Sequence, residues 1–401
     1  MRVLVISWEY PPHLQGGLGR HVSELLPALC RHPDMVIHVV TPQHSGGEAY
    51  EAHGNLIVHR VNTSLLTRDH AAGGETTFFE NVLHVNKSLE QFIELIWQQV
   101  GGFDLIHAHD WLVSFAASAV HRTYDVPLIV TFHATERGRN RGWLSSTLSQ
   151  QIHDAELGLT QTATRLITVS NYMRNEVQSF FGVNPDKVRV IPNGVNTTPF
   201  DEQRGRDHRL ERQRYALPEE PIVFHIGRLV HEKGVRVLVE AIPFILNAFP
   251  EARFVIAGRG PLLETLQQRV AALQISHKVY FPGFVSDDEA VGLFCIADVA
   301  VFPSLYEPFG VVALEAMAAH TPLVVTSVGG LAEVAEHDKT AVTVFPDDAG
   351  SLAWGISKVL REPETARVRA DDAYRMVREI YSWDVIAGST LAVYQEVVPG
   401  A

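Results

Sequence analysis

Short, uninterrupted apolar runs, each followed by a loop and then a segment of helical period, recur along nearly the whole chain. Residues 3–6, 35–41, 56–61, 104–107, 127–132, 166–169 and 188–191 are such runs. A strand that is apolar on both faces belongs in a parallel sheet covered by helices on both sides. Between the runs, Val22, Leu25, Leu26 and Leu29, and later Val82, Val85, Leu89, Phe92, Ile93 and Ile96, repeat at helical spacing. This alternation predicts a doubly wound α/β fold with a parallel sheet.

The alternation occurs twice. Residues 201–214 interrupt it with a dense mixture of Arg, Asp and Glu, and it restarts at 222–226, 253–257, 279–281, 299–302, 323–326 and 342–345. We therefore divide the chain into a first domain over 1–200, a linker over 201–220, a second domain over 221–380 and a terminal segment over 381–401. A length of 401 residues accommodates two domains. Net charge −13 argues against a general nucleic-acid binder. No apolar run reaches membrane-spanning length, and residues 1–7 are too short for a signal-peptide core. A cytoplasmic location is expected, with Cys30 and Cys295 as buried reduced thiols. No transmembrane segment is expected, and the sequence leaves the oligomeric state open.

The stretch 304–318, Ser-Leu-Tyr-Glu-Pro-Phe-Gly-Val-Val-Ala-Leu-Glu-Ala-Met-Ala, follows one apolar run. It reads as a loop entering a helix from Pro308 onward, where a missing N–H costs little. Backbone N–H groups at Phe309, Gly310 and Val311 would form an anion site. Glu307 and Glu315, eight residues apart, would lie roughly 12 Å apart on a continuous helix, too far for a glycosidase pair. That spacing suits two hydroxyl-binding acids around a diphosphate, and equally a capping acid with an unrelated surface Glu.

Other candidates sit at predicted strand ends. Arg228 and Lys233, in Gly227-Arg228-Leu229-Val230-His231-Glu232-Lys233-Gly234, offer two cations to a diphosphate, or are ordinary surface cations. Gly16-Gly17 is a weak phosphate signal that lacks the dinucleotide fingerprint. In His107-Ala108-His109-Asp110-Trp111, the acid is a catalytic candidate or a helix cap. His133 ends the next run; orienting and proton-accepting roles are not separable there. Arg137, Arg139, Arg141 and Trp143 form an acceptor-loop candidate, with a basic surface loop as the alternative. Ser286-Asp287-Asp288-Glu289 reads as a capping box, not a metal site. No metal-ligand cluster is apparent.

These strings together resemble the retaining GT-B glycosyltransferases of family 4 (group 1), in the glycogen-synthase-like subgroup. The resemblance implies two Rossmann-like domains facing a central cleft, with a C-terminal helix near Trp383 crossing back to the first domain. It implies transfer of a sugar, glucose first, from UDP- or ADP-glucose to an α-glucan or oligosaccharide. Glu307 would contact the transferred sugar and Glu315 the ribose; Arg228 and Lys233 would neutralise the diphosphate. Asp110 and His133 would lie beside the sugar, and Gly227 and Gly258 beneath the nucleotide. Neither metal nor cofactor is implied. One departure stands out: Leu14, in Leu14-Gln15-Gly16-Gly17-Leu18, replaces the subgroup's Lys. Alternatives are a small-sugar or lipid-linked acceptor, a sugar-nucleotide 2-epimerase, and an inactive nucleotide-sugar sensor.

Overall fold

The computed structural model describes residues 1–44, 46–63 and 75–398, the side chains of 75–77 excepted. The chain forms two units, one of Met1–Gly194 completed by the segment from Trp383 onward, the other of Val195–Ser382.

The first unit is built on β1 (Arg2–Ile6), β2 (Val36–Pro42), β3 (Tyr50–His53), β4 (Leu56–Val61), β5 (Leu105–His109), β6 (Leu128–Phe132), β7 (Arg165–Thr168) and β8 (Val188–Val190). They form an eight-stranded sheet in the order β3-β4-β2-β1-β5-β6-β7-β8. All neighbours are parallel except β3, which runs antiparallel to β4. Val3 and Val5 of β1 face the Gly17–Leu29 helix through Leu25 and Leu26. The same cluster takes in Trp383, Ile386 and Tyr394 of the Trp383–Val397 helix. Burying each such side chain contributes about 1.5–3 kcal/mol, so the terminal helix is an integral wall of this unit.

The second unit carries β9 (Ile222–Ile226), β10 (Arg253–Ala257), β11 (Val279–Gly283), β12 (Val299–Phe302), β13 (Leu323–Thr326) and β14 (Val342–Val344). Their order is β11-β10-β9-β12-β13-β14, parallel throughout. Its core packs Val223, Phe254, Ile256 and Val301 against the helices Val235–Ala248 and Ala349–Arg361. Both units are doubly wound, and in each the strand order reverses at one place: between β1 and β5, and between β9 and β12. Loops leaving the carboxyl ends of strands at such reversals are where open α/β sheets bind ligands.

Several expectations need correction. The helix expected from Pro308 begins at Val311, because Gly310 takes a left-handed φ of 102° that a continuing helix does not admit. The straight-helix spacing between Glu307 and Glu315 therefore does not apply. Residues 201–220, divided off as a linker, group with the second unit. Phe200 stacks edge-on to Phe294, and Arg212 donates to the Ile296 carbonyl and pairs with Asp298, which places this stretch within the second unit. The sequence reading also passed over β3 and the Thr147–Thr162 helix, which a Ser146–Ser149 capping box begins. Cys30 and Cys295 are free but only half-buried. The predicted Ser286–Glu289 capping box is present.

Candidate active site

In the second unit the reversal point is formed by the loops after β9 and β12. Lys233, in a single 3-10 turn (His231–Lys233), donates from Nζ to Glu307 Oε2 at 2.7 Å. Ser304 donates to the same oxygen at 3.2 Å. Glu307 is 7% exposed; a buried carboxylate needs such partners to remain charged. The backbone fixes the rest: Leu305 and Tyr306 N–H both point at the Glu232 carbonyl, and Gly330 N–H donates to the Glu307 carbonyl. Gly234, with φ 64°, lets the β9 loop approach so closely that an added Cβ would overlap the Pro303 carbonyl.

Arg228 pairs loosely with Glu232 at 3.4 Å, its side chain 57% exposed. Gly227 N–H donates to the Ala257 carbonyl, and Gly258 N–H to the Gly283 carbonyl, so both glycines lie at the ends of β9 and β10. Phe309 and Gly310 are buried and Val311 is half-buried. The Val311–Ala318 helix has neither a side-chain cap nor an acid in its first turn. Its positive end is thus left for an anion. Glu315 lies half-buried within that helix. The structure thus brings together Lys233, Glu307 and the helix start in one unit, with Arg228 at the rim of the same loop.

In the first unit the reversal point lies between β1 and β5, and β6 adds its end. Asp110 follows β5 with φ 56°, a strained backbone for a residue with a side chain. Its Oδ1 accepts the His133 N–H at 2.7 Å, so the acid holds the main chain of the next strand end. Burial pushes the Asp110 carboxyl up to about 7, against the pull of Arg139 and two backbone N–H groups. Burial, reinforced by neighbouring cationic forms, holds the imidazoles of His133 and His109 well below their ordinary range, and burial takes His21 down to about 4. Both rings and His21 stand neutral near pH 7.

His21, from the Gly17–Leu29 helix, was not singled out from sequence. It donates from Nδ1 to Asn193 Oδ1 at 2.7 Å, and its ring lies edge-on to His133 with centroids 4.7 Å apart. His109 Nδ1 lies 3.2 Å from His133 Nε2. Beneath them, His107 is held at Nδ1 by the Tyr394 hydroxyl and at Nε2 by Thr131, both at 2.7 Å. The available signal was the His-x-His alternation along β5, which puts His107 and His109 on one face. Although the sequence suggested no metal-ligand cluster, His21, His109 and His133 form one group of nitrogens close enough to hold an ion.

Gly16 precedes the Gly17–Leu29 helix with open space beside it, and the helix has no side-chain cap. Glu9, also unremarked in the sequence, accepts the N–H groups of Gln15 and Gly16 at Oε2. The acceptor-loop candidates separate. Arg137 lies over the Phe180 ring at 4.9 Å and donates to the Gly142 carbonyl, so it holds the loop in place. Arg139 and Arg141 are exposed, and Trp143 is 76% exposed. The loop is not wholly irregular: Thr135 caps the Glu136–Arg139 turn and donates to buried Glu176, while buried Glu156 accepts the Glu136 N–H.

Comparison with known proteins accords with this arrangement. Residues 15–199 match Glycosyltransferase Family 4, and residues 207–376 match Glycosyl transferases group 1. An uncharacterized glycosyltransferase of Methanocaldococcus jannaschii is 36% identical over 397 residues, covering 98% of each chain. The chain is a group 1, family 4 glycosyltransferase. A glycogen synthase of Mycobacterium tuberculosis is 33% identical over 420 residues, covering 98% of this glycosyltransferase and 94% of that enzyme. The sucrose-phosphate synthase of Thermosynechococcus elongatus superposes with a TM-score of 0.83 over 100% of both chains at 22% identity. The two parallel-sheet units of this glycosyltransferase are those of the GT-B fold. Among the described residues, no helix is long and apolar enough to cross a membrane.

Proposed function

We propose that this glycosyltransferase is a retaining hexosyltransferase that moves glucose from UDP- or ADP-glucose to an α-glucan or oligosaccharide. The observation that carries the donor half is the Lys233–Glu307 pair beside an uncapped helix start. A diphosphate seated there would draw Lys233 and Arg228 toward its leaving-group charge, which is where fixed cations lower a barrier most. Glu307 would then be free to grip the sugar hydroxyls, and Glu315 would hold the ribose. Gly227 and Gly258 would let the nucleotide lie close to backbone. With the phosphate charge met by side chains and N–H groups, the transfer would need no divalent cation.

In the first unit, Asp110 holds the His133 main chain for the sugar, and neutral His133 orients rather than ionises. The acceptor would attack from the leaving group's own face, a phosphate oxygen taking its proton. Trp143 and the exposed Arg139 and Arg141 would bind the acceptor by stacking and charged hydrogen bonds. The glucan reading is supported by the similarity to a glycogen synthase; Leu14 bears on donor choice.

The test is nucleotide release from UDP-, ADP- and GDP-sugars, with and without maltooligosaccharide, using Glu307→Ala as control. Release that depends on maltooligosaccharide and is lost in the variant supports the reading and identifies the donor. Release indifferent to maltooligosaccharide overturns the glucan acceptor. Absence of release from any donor overturns the transfer itself.

A further inference from the structure

We propose that His21, His109 and His133 form a binding site for a divalent transition-metal ion of the zinc class. One ring nitrogen from each residue lies within 4.8 Å of the others. His109 Nδ1 and His133 Nε2 are 3.2 Å apart. Zinc–imidazole bonds of about 2.0–2.1 Å set the edge of a tetrahedral site at roughly 3.3–3.4 Å, so this pair already has ligand spacing.

Two further observations point to a ligand rather than to a packed core. Among the described residues His21 Nε2 has no hydrogen-bond partner, though His21 is only 3% exposed. Buried ring nitrogens are ordinarily paired, and unpaired ones call for an explanation. Moreover, Asn193 Oδ1 can only accept, so His21 must carry its proton on Nδ1 and present a lone pair at Nε2. That is the tautomer a metal takes, fixed by the kind of outer hydrogen bond that orients metal-binding histidines.

The donor set selects the ion. Three imidazoles and no carboxylate suit Zn2+, Co2+ or Ni2+, whereas Mg2+ and Ca2+ require oxygen. Three protein ligands leave the fourth position for water. On the reading that His133 lies beside the transferred sugar, a bound ion would immobilise its ring and slow transfer. Metal binding itself does not rest on that reading, and its measurement is independent of activity.

The experiment is titration of the chelator-treated full-length chain with CoCl2, following the visible absorption of four-coordinate Co2+. One equivalent is expected to bind, displaced by ZnCl2 and not by MgCl2. His21→Gln should abolish the band, and Asn193→Ala, which leaves all three rings, should weaken binding by about tenfold or more. ZnCl2 should raise the thermal midpoint of the wild type, and circular dichroism identifies any variant that fails to fold. Should His21→Gln misfold, Asn193→Ala decides alone. His44→Gln, at a separate stacked His13–His44 pair, should bind as the wild type does. Binding undiminished in a folded His21→Gln or Asn193→Ala variant, binding lost in His44→Gln, or no four-coordinate band in the wild type would each overturn the site.

Discussion

Lys233 Nζ donates at 2.7 Å to Glu307 Oε2, joining the loop after β9 to the loop after β12 across the point where the second sheet reverses. The pair is a closed salt bridge built from residues whose proposed partners are a phosphate and a sugar. Lys233→Met should leave the Glu307 carboxylate short of a partner and destabilise the second unit by ~1–3 kcal/mol. Transfer should fall by roughly 100-fold or more. The double variant Lys233→Met/Glu307→Gln should regain part of the stability and none of the activity. Urea denaturation and nucleotide release check the two halves separately.

Gly234→Ala should be worse for the fold than its size suggests. A Cβ there meets the Pro303 carbonyl in a backbone already at φ 64°. Strain and overlap together should lower stability by roughly 3 kcal/mol or more, read as an early thermal transition of the second unit. Unchanged melting would show that the two loops part easily.

Tyr394→Phe removes one hydroxyl and should still cost ~1–3 kcal/mol, because it leaves His107 Nδ1 buried without its 2.7 Å partner. Faster hydrogen exchange along the Trp383–Val397 helix is the local signature to measure.

Stability should decline in mild acid. Burial, with a smaller contribution from Lys233, brings His225 from 6.5 down to about 4; burial, then His59 and Arg2, brings His38 to about 4. The unfolded chain then binds the proton more readily. The stabilisation is complete above pH 6.5 and is lost as pH falls toward 4, on the order of 3 kcal/mol for fully buried His225. Urea midpoints at pH 7.5 and 5 should show this, with a shallower pH dependence in His225→Asn.

Trp143→Ala should leave stability within about 0.5 kcal/mol, as for other exposed positions, since the ring is 76% exposed. If maltooligosaccharide is the acceptor, its KM should rise several-fold with donor KM unchanged.

The strands were legible because a strand covered by helices on both faces must be continuously apolar; residues 222–226 and 253–257 coincide with β9 and β10. Capping at Ser286 was legible because the bond is local. β3 was not: Tyr-Glu-Ala-His is half polar and is held by antiparallel pairing with β4 alone. The helix boundary at Val311 depended on a single left-handed glycine. Lys233 and Glu307 were legible one by one, but their pairing spans 74 positions. His21 was invisible for the same reason: its partner Asn193 lies 172 positions away.

The terminal helix bears on how the protein is made. A ribosome emits the first 194 residues with β1 and β5 complete, yet Tyr394, which meets His107, is 287 positions behind it. The domain that is translated first is therefore the last to be finished, and the second can close its own core while the first still waits. Until Trp383, Ile386 and Tyr394 emerge, the apolar face they cover has no wall. A nascent chain halted before residue 383 would present that face to chaperones and proteases, so the helix also certifies that translation has run through the second domain.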